Sequence, residues 1–510
     1  MDTPELRTEL NAIVPGVVEA YEALRTSHGT GIYTSNGSFY NHTFFARDSS
    51  MSAKFILDYD HALARETILA LAAMQGTEHD AKTQEEFGRI HHELRDFDQW
   101  NGSFHARLLL WPVAKLWGMK KGRLLTYFAI DTTASFIRLT HKYASHIDRS
   151  ILDETFTSRS GEVLTVAESL ARASDWIVSQ VDDEGVLYSL RTNKWSLPFQ
   201  TPEDSTTSYA RTDGSLANYR RGVSYVEAQV FAADALRDMA QLLDSHSNRK
   251  MWHETMQRME SALSTKFWNS HDNYFASAVD ASGQVDLRNI SAGWTLNVSM
   301  WHVMSDEERA AIIGPIVTRL FSPEFLTPVG LRTRSILQKQ PLAGVLEYHG
   351  SNTVWPMFNF MVVEGLRRHN LHRLAEQLQN RLINGLNASG NFDEFFMVNS
   401  KDELIRVRNN DHKAVQSLPI QMVPEQQIAF SVVPALTMAH RIWQQDAFPP
   451  QEPWQAEVES AVLAAMPQVS LVAPEDAIGA IGPVNYIRPR RPWGNIRTTI
   501  YFLKQNWRMK

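Results

Sequence analysis

Apolar side chains recur at three- and four-residue steps through most of this 510-residue chain, the spacing that gathers them on one face of a helix. On this ground the segments 4–27, 60–75, 131–146, 163–181, 223–243, 248–267, 305–320, 352–368, 370–388 and 425–445 are predicted helices. Weaker stretches at 46–58 and 104–118 bring the number to about twelve. Within VSYVEAQVFAADALRDMAQLL (223–243) the pattern holds without a break. Two-residue alternation is scarce. FASAVDASGQVDL (275–287), with Ala-Ser-Gly as turn chemistry, predicts one small hairpin.

No Pro-, Gly- or Ser-rich linker divides the first 445 residues, so residues 1–445 are expected to form one large all-α domain. After Gln445 the composition changes. DAFPPQEPW opens a Pro-rich extension, 446–510, with a short helix at 455–465 and irregular sequence beyond. Its Trp493, Tyr501, Phe502 and Trp507 are costly to leave in water, so the extension is expected to pack on the domain. Helices in pairs, joined by long loops that carry Trp, Asp, Glu, Arg and Tyr, suit a closed toroid of two concentric helix rings with its site among the loops. A superhelical repeat array would show self-similarity at a fixed period, and none is evident.

Composition narrows the chemistry. The chain has no cysteine, which excludes disulfides, thiolate nucleophiles, zinc–thiolate sites and iron–sulfur clusters. The N-terminus, MDTPELRTELNAIVPGVVEAYEAL, is acidic and amphipathic and lacks the basic and apolar regions of a secretory signal. No apolar run reaches the roughly 18 residues of a membrane span, and a cytoplasmic protein is expected. A net charge of −7 argues against nucleic acid or an anionic membrane surface as partner. The basic clusters YRRG (219–222) and RPRRP (488–492) are short and read as solvated loops.

Two acidic segments stand out, PEDSTTSYARTDGSLA (202–217) and NFDEFFMVNS (391–400). Hydrolysis of a glycosidic bond needs two carboxyl groups, one protonated to donate to the leaving oxygen and one ionised to activate water or attack carbon. Asp204 and Glu394 are the candidates, with Glu203 and Asp393 as neighbours able to take the same roles. A base beside Phe395 and Phe396 must stay ionised, so hydrogen-bond donors are expected around Glu394. Arg47-Asp48 interrupts the aromatic run of Phe44 and Phe45. Buried charge is expensive without partners, and sugar hydroxyls are one such partner. His91 and His92 are adjacent and lack the four-residue spacing of an HExxH zinc motif, so no metal and no cofactor is expected.

These residues carry a resemblance. YNHTFFARDSSMSAKFIL (40–57) resembles the aromatic W-x-RD segment of glucoamylase-type enzymes and of the glucosidase domain of glycogen-debranching proteins. FGRIHHELRD (87–96), YFAIDTTASFIRLTHKY (127–143), EDSTTSYARTDGSLA (203–217) with SYVEAQVFAADALR (224–237), and EYHGSNTVWPMFNFMVVEGLRRH (347–369) are similar to successive segments of amylo-α-1,6-glucosidases. NFDEFFMV with MVPEQQIAFSVVPALTMA (422–439) resembles their base-bearing C-terminus. Each segment alone is weak, but the six are collinear over roughly residues 40–445.

The resemblance implies an (α/α)6 barrel and an α-glucosidase, exo-acting and inverting, with Asp204 as general acid and Glu394 as general base. It implies sugar binding by Arg47 and Asp48, and makes Tyr40, Glu93, Asp131, Glu227, Trp294, His349, Trp355 and Gln426 candidate subsite residues. The transferase-type portion of debranching enzymes is not matched, so full debranching of glycogen is not expected. The chain departs from the family at Pro202, where a Trp is usual, and at Thr207, where a second Asp is usual. Two competing classes remain open: a lyase or epimerase centred on His91, His92 and Tyr348, and a carbohydrate-binding toroid without catalysis.

Overall fold

The computed structural model describes residues 3–26, 30–36, 40, 42–99, 111–205, 207–338, 348–398, 402, 404–405, 424–445 and 448–467. Trp493, Tyr501, Phe502 and Trp507 lie outside the described residues, as does the first half of the helix predicted at 104–118. The chain forms two compact units: residues 1–202, 227–265 and 425–443, and residues 203–226, 266–424 and 444–510.

Helices in the first unit are of two kinds. Ala46–Phe55 is buried at every position except Lys54, and Thr132–His146 is buried from Thr132 through Thr140. A helix buried all round is an interior helix. Val166–Ser179 and Arg249–Ala262 instead bury one stripe, Leu170, Ala173 and Ile177 in the former and Trp252, Met256 and Met259 in the latter. Such stripes cover an interior layer while the opposite face meets water. The second unit repeats the division. Pro356–Arg368 is buried from Pro356 to Val363, whereas His372–Ser389 and Asp306–Leu320 are amphipathic.

Most expected helices are present, with shifted starts. The stretch 4–27 is two helices, Pro4–Ile13 and Val17–Leu24. Pro15 forces the residue before it out of helical geometry: Val14 is extended, and Gly16 turns the chain at φ +75°. The segments expected to be helical from 163, 223 and 352 begin instead as short strands, Val163–Thr165, Val223–Tyr225 and Thr353–Val354. Their β-branched and aromatic residues pair with neighbouring strands, so tertiary contact overrides the local helical period. The hairpin expected within 275–287 is Ala278–Asp280 against Gly283–Val285.

The recurrent junction is therefore a short strand running straight into a helix, which leaves polar residues in the first helical turn. Thr43–Phe45, Glu93–Asp96 and Arg123–Thr126 make one three-stranded sheet that feeds such a junction, with Phe45 opposite Glu93 and Glu93 opposite Thr126. In the C-terminal extension, helix Pro453–Ala465 packs on Asp306–Leu320 and His372–Ser389. There Glu459 accepts from the backbone N–H of Arg373 at 2.8 Å, and Trp454 lies under the Arg309 guanidinium.

Candidate active site

In the first unit the strand Thr43–Phe45 ends at the helix Ala46–Phe55, and Arg47 and Asp48 fall in its first turn, both buried. A carboxylate there is favoured by the helix N-terminus. Arg47 is paired with a residue distant in sequence. Asp131, which opens helix Thr132–His146, takes Arg47 Nε at 2.6 Å and Nη2 at 2.9 Å. This two-pronged geometry is the strong form of a charge-assisted hydrogen bond. The start of that helix is held independently, by Thr132 Oγ1 donating to the Ile90 carbonyl and Thr133 Oγ1 accepting from the Ile90 N–H.

Glu93 and Arg95, two apart on one strand and so on one face of the sheet, form a buried ion pair at 2.7 Å. His92 stands edge-on to Phe45, and Phe45 edge-on to Tyr40. The Tyr40 N–H donates to Glu425 at 3.4 Å, which places Tyr40 beside the 425–427 turn and Gln426 within it. Glu227, in the first turn of Val226–Leu242, is fully buried and accepts from the Thr201 hydroxyl. His91 stacks on Phe44, and among the described residues no group bonds either of its ring nitrogens. Burial, aided by Arg159, lowers its pKa to about 3. His92 is also pushed well below the ordinary range, by burial first and then by Arg47. Two histidines held neutral in the interior do not have the exposure that proton abstraction from a polymeric substrate requires.

The second unit holds both candidate carboxyls. Strand Thr353–Val354 pairs with Phe396–Val398, Val354 opposite Phe396, so the register sets Trp355 against Phe395 (ring centroids 5.2 Å apart) and brings Glu394 to the 348–352 turn. There the Tyr348 hydroxyl donates to Glu394, which is 5% exposed. The sequence alone points to Tyr348 only under the lyase alternative. Next to it, His349 is stacked on Trp355 at 4.7 Å and on Phe358 at 5.7 Å, and its Nδ1 is 3.1 Å from Ser208 Oγ. Ser208 in turn shares a 2.6 Å hydrogen bond with Ser205, the residue after Asp204.

The Asp204 loop is fixed from a second side. Arg334, 1% exposed, donates to the carbonyls of Thr207 and Ser208 at 2.9 and 3.1 Å. Asn289 donates to Glu203, which is fully buried, while Asp204 itself is half-buried. Thr333 N–H and Oγ1 both donate to the Thr353 carbonyl. A continuous frame therefore runs from the Asp204 loop through Arg334 and Thr333 to Thr353 and across the strand pair to Glu394. Trp294 is fully buried, edge-on to Phe358, and donates its indole N–H to the Phe358 carbonyl. It has no face left for a sugar. The motifs of the sequence do not include Arg334 or Asn289, and within the 202–217 motif nothing local singles out Ser208. The period-two run Arg332-Thr333-Arg334-Ser335 is the one available signal, since in extended chain it sets both arginines on one side.

Known proteins share this architecture. Residues 184–399 match the family model of the mannosylglycerate hydrolase MGH1-like glycoside hydrolase domain. None of the curated proteins matches the sequence. Among solved structures, the GH63 mannosylglycerate hydrolase from Thermus thermophilus in complex with glucose is similar at a TM-score of 0.55 and 14% identity, over 83% of this chain and 99% of that one. The same enzyme in complex with Tris and D-glycerate aligns at 0.52 and 13%, over 85% and 99%. A structure described as a glycosidase aligns at 0.50 and 11%, over 87% and 99%. The chain has the fold of these proteins, the all-α (α/α)6 class expected from the sequence, and the resemblance to six-hairpin glycoside hydrolases is borne out.

Proposed function

We propose that this glycoside hydrolase removes an α-linked hexose from the non-reducing end of a small glycoside, with inversion at the anomeric carbon. Asp204 is the general acid and Glu394 the general base. In this reading Asp204 gives its proton to the leaving oxygen as the C–O bond breaks. Glu394 takes a proton from a water that attacks the opposite face, so the two carboxyls end with exchanged protonation. An inverting pair stands roughly 6.5–9.5 Å apart to leave room for that water.

One observation carries the assignment: both carboxyls belong to one unit, and the loop of one and the strand of the other are tied by Ser205–Ser208–His349 and Tyr348–Glu394. Glu394 has the donor that the ionised form of a base calls for. Asp204, only half-buried, is the more accessible of the Glu203–Asp204 pair, whereas Glu203 is enclosed and held by Asn289. Tyr348, committed to Glu394, is not available as a lyase base.

For sugar binding we propose Arg47, Asp48, Tyr40, Glu93, Asp131, Glu227, Gln426 and Trp355. Trp294 is left out because it is spent in the core. The solved relatives are described as mannosylglycerate hydrolase with bound glucose and with D-glycerate. Small α-glucosides and hexosyl-glycerates are therefore the substrates to try first. The test is a panel of α-glucosides, α-mannosides and hexosyl-glycerates, with the first-formed anomer followed by proton NMR. Release of the β-anomer from an α-glycoside supports the reading. Initial release of the α-anomer shows retention and overturns the inverting mechanism.

A further inference from the structure

We propose that the dipeptide Tyr348-His349 is a positioning element that couples the two catalytic carboxylates, setting the acid loop and the base in one register. The proposal rests on the assignment of Asp204 and Glu394 made above. Consecutive side chains reach in different directions: the Tyr348 hydroxyl to Glu394, and the His349 ring to Ser208, whose hydroxyl bonds that of Ser205 beside Asp204. One peptide thus bonds the base directly and reaches the loop of the acid through Ser208 and Ser205.

The surroundings hold that peptide still. The His349 ring lies nearly parallel to Trp355 (27°) and Phe358 (19°), and it is 1% exposed, so it cannot swing away from Ser208. Tyr348 is enclosed edge-on by Trp355 and Phe395, at 4.8 and 5.3 Å. The turn that follows is closed by Gly350 N–H donating to Thr353 Oγ1 at 3.2 Å, and Trp355 Nε1 donates back to the Tyr348 carbonyl at 3.3 Å. The rings of Tyr348, His349, Trp355, Phe358 and Phe395 therefore serve to fix the hydrogen bonds to Glu394 and Ser208. Inversion makes the separation of acid and base matter, since both must reach one anomeric carbon with a water between. A misplacement of about 1 Å at a catalytic group costs on the order of a hundredfold in rate.

The experiment compares the full-length protein with Tyr348→Phe, His349→Phe, His349→Asn, and Tyr348→Phe with His349→Phe, beside Glu394→Gln as reference. Phe keeps the ring stack and deletes only the hydrogen bond. Asn restores a polar atom near the position of Nδ1. Steady-state kinetics are read with the melting temperature of the same preparations. The expected result is a roughly tenfold to hundredfold loss of kcat in each Phe variant with KM within about threefold. Partial rescue is expected in His349→Asn, and the double variant should lose less than the product of the single losses. A melting temperature that falls while kcat stays parental would show a structural role and overturn the proposal, and so would losses that multiply independently. If Glu394→Gln retains parental turnover, the acid–base assignment itself fails. If it is inactive while both Phe variants turn over normally, the assignment stands and the coupling fails.

Discussion

Asp131→Ala removes one side of a buried, two-pronged ion pair. Arg47 Nε and Nη2 lie 2.6 and 2.9 Å from the two Asp131 oxygens, and the side chains are 6% and 1% exposed. Solvent screens such a pair little, and breaking it from one side costs about 3–5 kcal/mol because a buried guanidinium loses the carboxylate that grips it with two bonds. The helix that Asp131 opens is not lost with it, since Thr132 and Thr133 hold that start to Ile90 through their own hydroxyls. The loss is therefore electrostatic. Urea unfolding followed by tryptophan fluorescence should show it as a shift in the midpoint of the first transition. Asp131→Asn keeps the shape and one acceptor and should lose less. Arg47→Met with Asp131→Leu, which replaces both charges by apolar groups, should recover most of the stability. If Arg47 binds sugar, that double variant stays inactive. A loss below about 0.5 kcal/mol in Asp131→Ala, the range of ordinary surface substitutions, would refute the reasoning.

Three further outcomes are expected. Asp48→Ala should lower kcat/KM roughly 30- to 150-fold, about 2–3 kcal/mol of transition-state binding, whereas a purely structural Asp48 would lower the melting temperature and leave specific activity intact. His91 takes a proton near pH 6.5 when unfolded but at about 3 when folded. The unfolded state therefore binds more protons between those values, and this part of the stability is complete above about pH 6.5 and declines as pH falls, by up to about 1.4 kcal/mol per unit. His91→Phe, which can keep the stack on Phe44, should flatten that slope between about pH 6.5 and 4.5, and an unchanged slope would contradict the burial argument. At Gly365 a β-carbon would stand 2.5 Å from Leu296 Cβ, so Gly365→Ala should destabilise by about 1–3 kcal/mol in thermal or urea melts, against a stabilisation if the helix packed loosely there.

Helical period shows which stretches are helices because interior and covering helices alike repeat their apolar residues on the same turn. It fails at helix starts, where Val163–Thr165, Val223–Tyr225 and Thr353–Val354 take strand geometry from their pairing partners. Val223–Tyr225, for example, pairs with Ala278–Asp280. Periodicity has no term for such a partner. The site is legible in part for the same reason. Asp204, Glu394 and Arg47 stand in local patterns that sequence can show. The partner of Arg47 is 84 positions away at Asp131, and the Arg334 clamp on Ser208 spans 126 positions, with no local pattern to announce either. Resemblance to glycosidases supplies what periodicity cannot, the enzyme class and the fold. The second-unit frame of Asn289, Thr333 and Arg334 becomes visible only once the chain is folded.

The most direct test of the acid–base assignment is the turnover of Asp204→Asn on a hexosyl fluoride compared with an alkyl or glyceryl hexoside that the unaltered protein cleaves. Fluoride leaves without being protonated, whereas an alkoxide needs the acid, whose contribution is on the order of 10²–10⁴-fold. If Asp204 is the general acid, the variant should keep fluoride turnover within about tenfold of the parent while losing at least about a hundredfold on the hexoside. Equal losses on both substrates, or no loss on either, would contradict the assignment of Asp204 and with it the proposed catalytic pair.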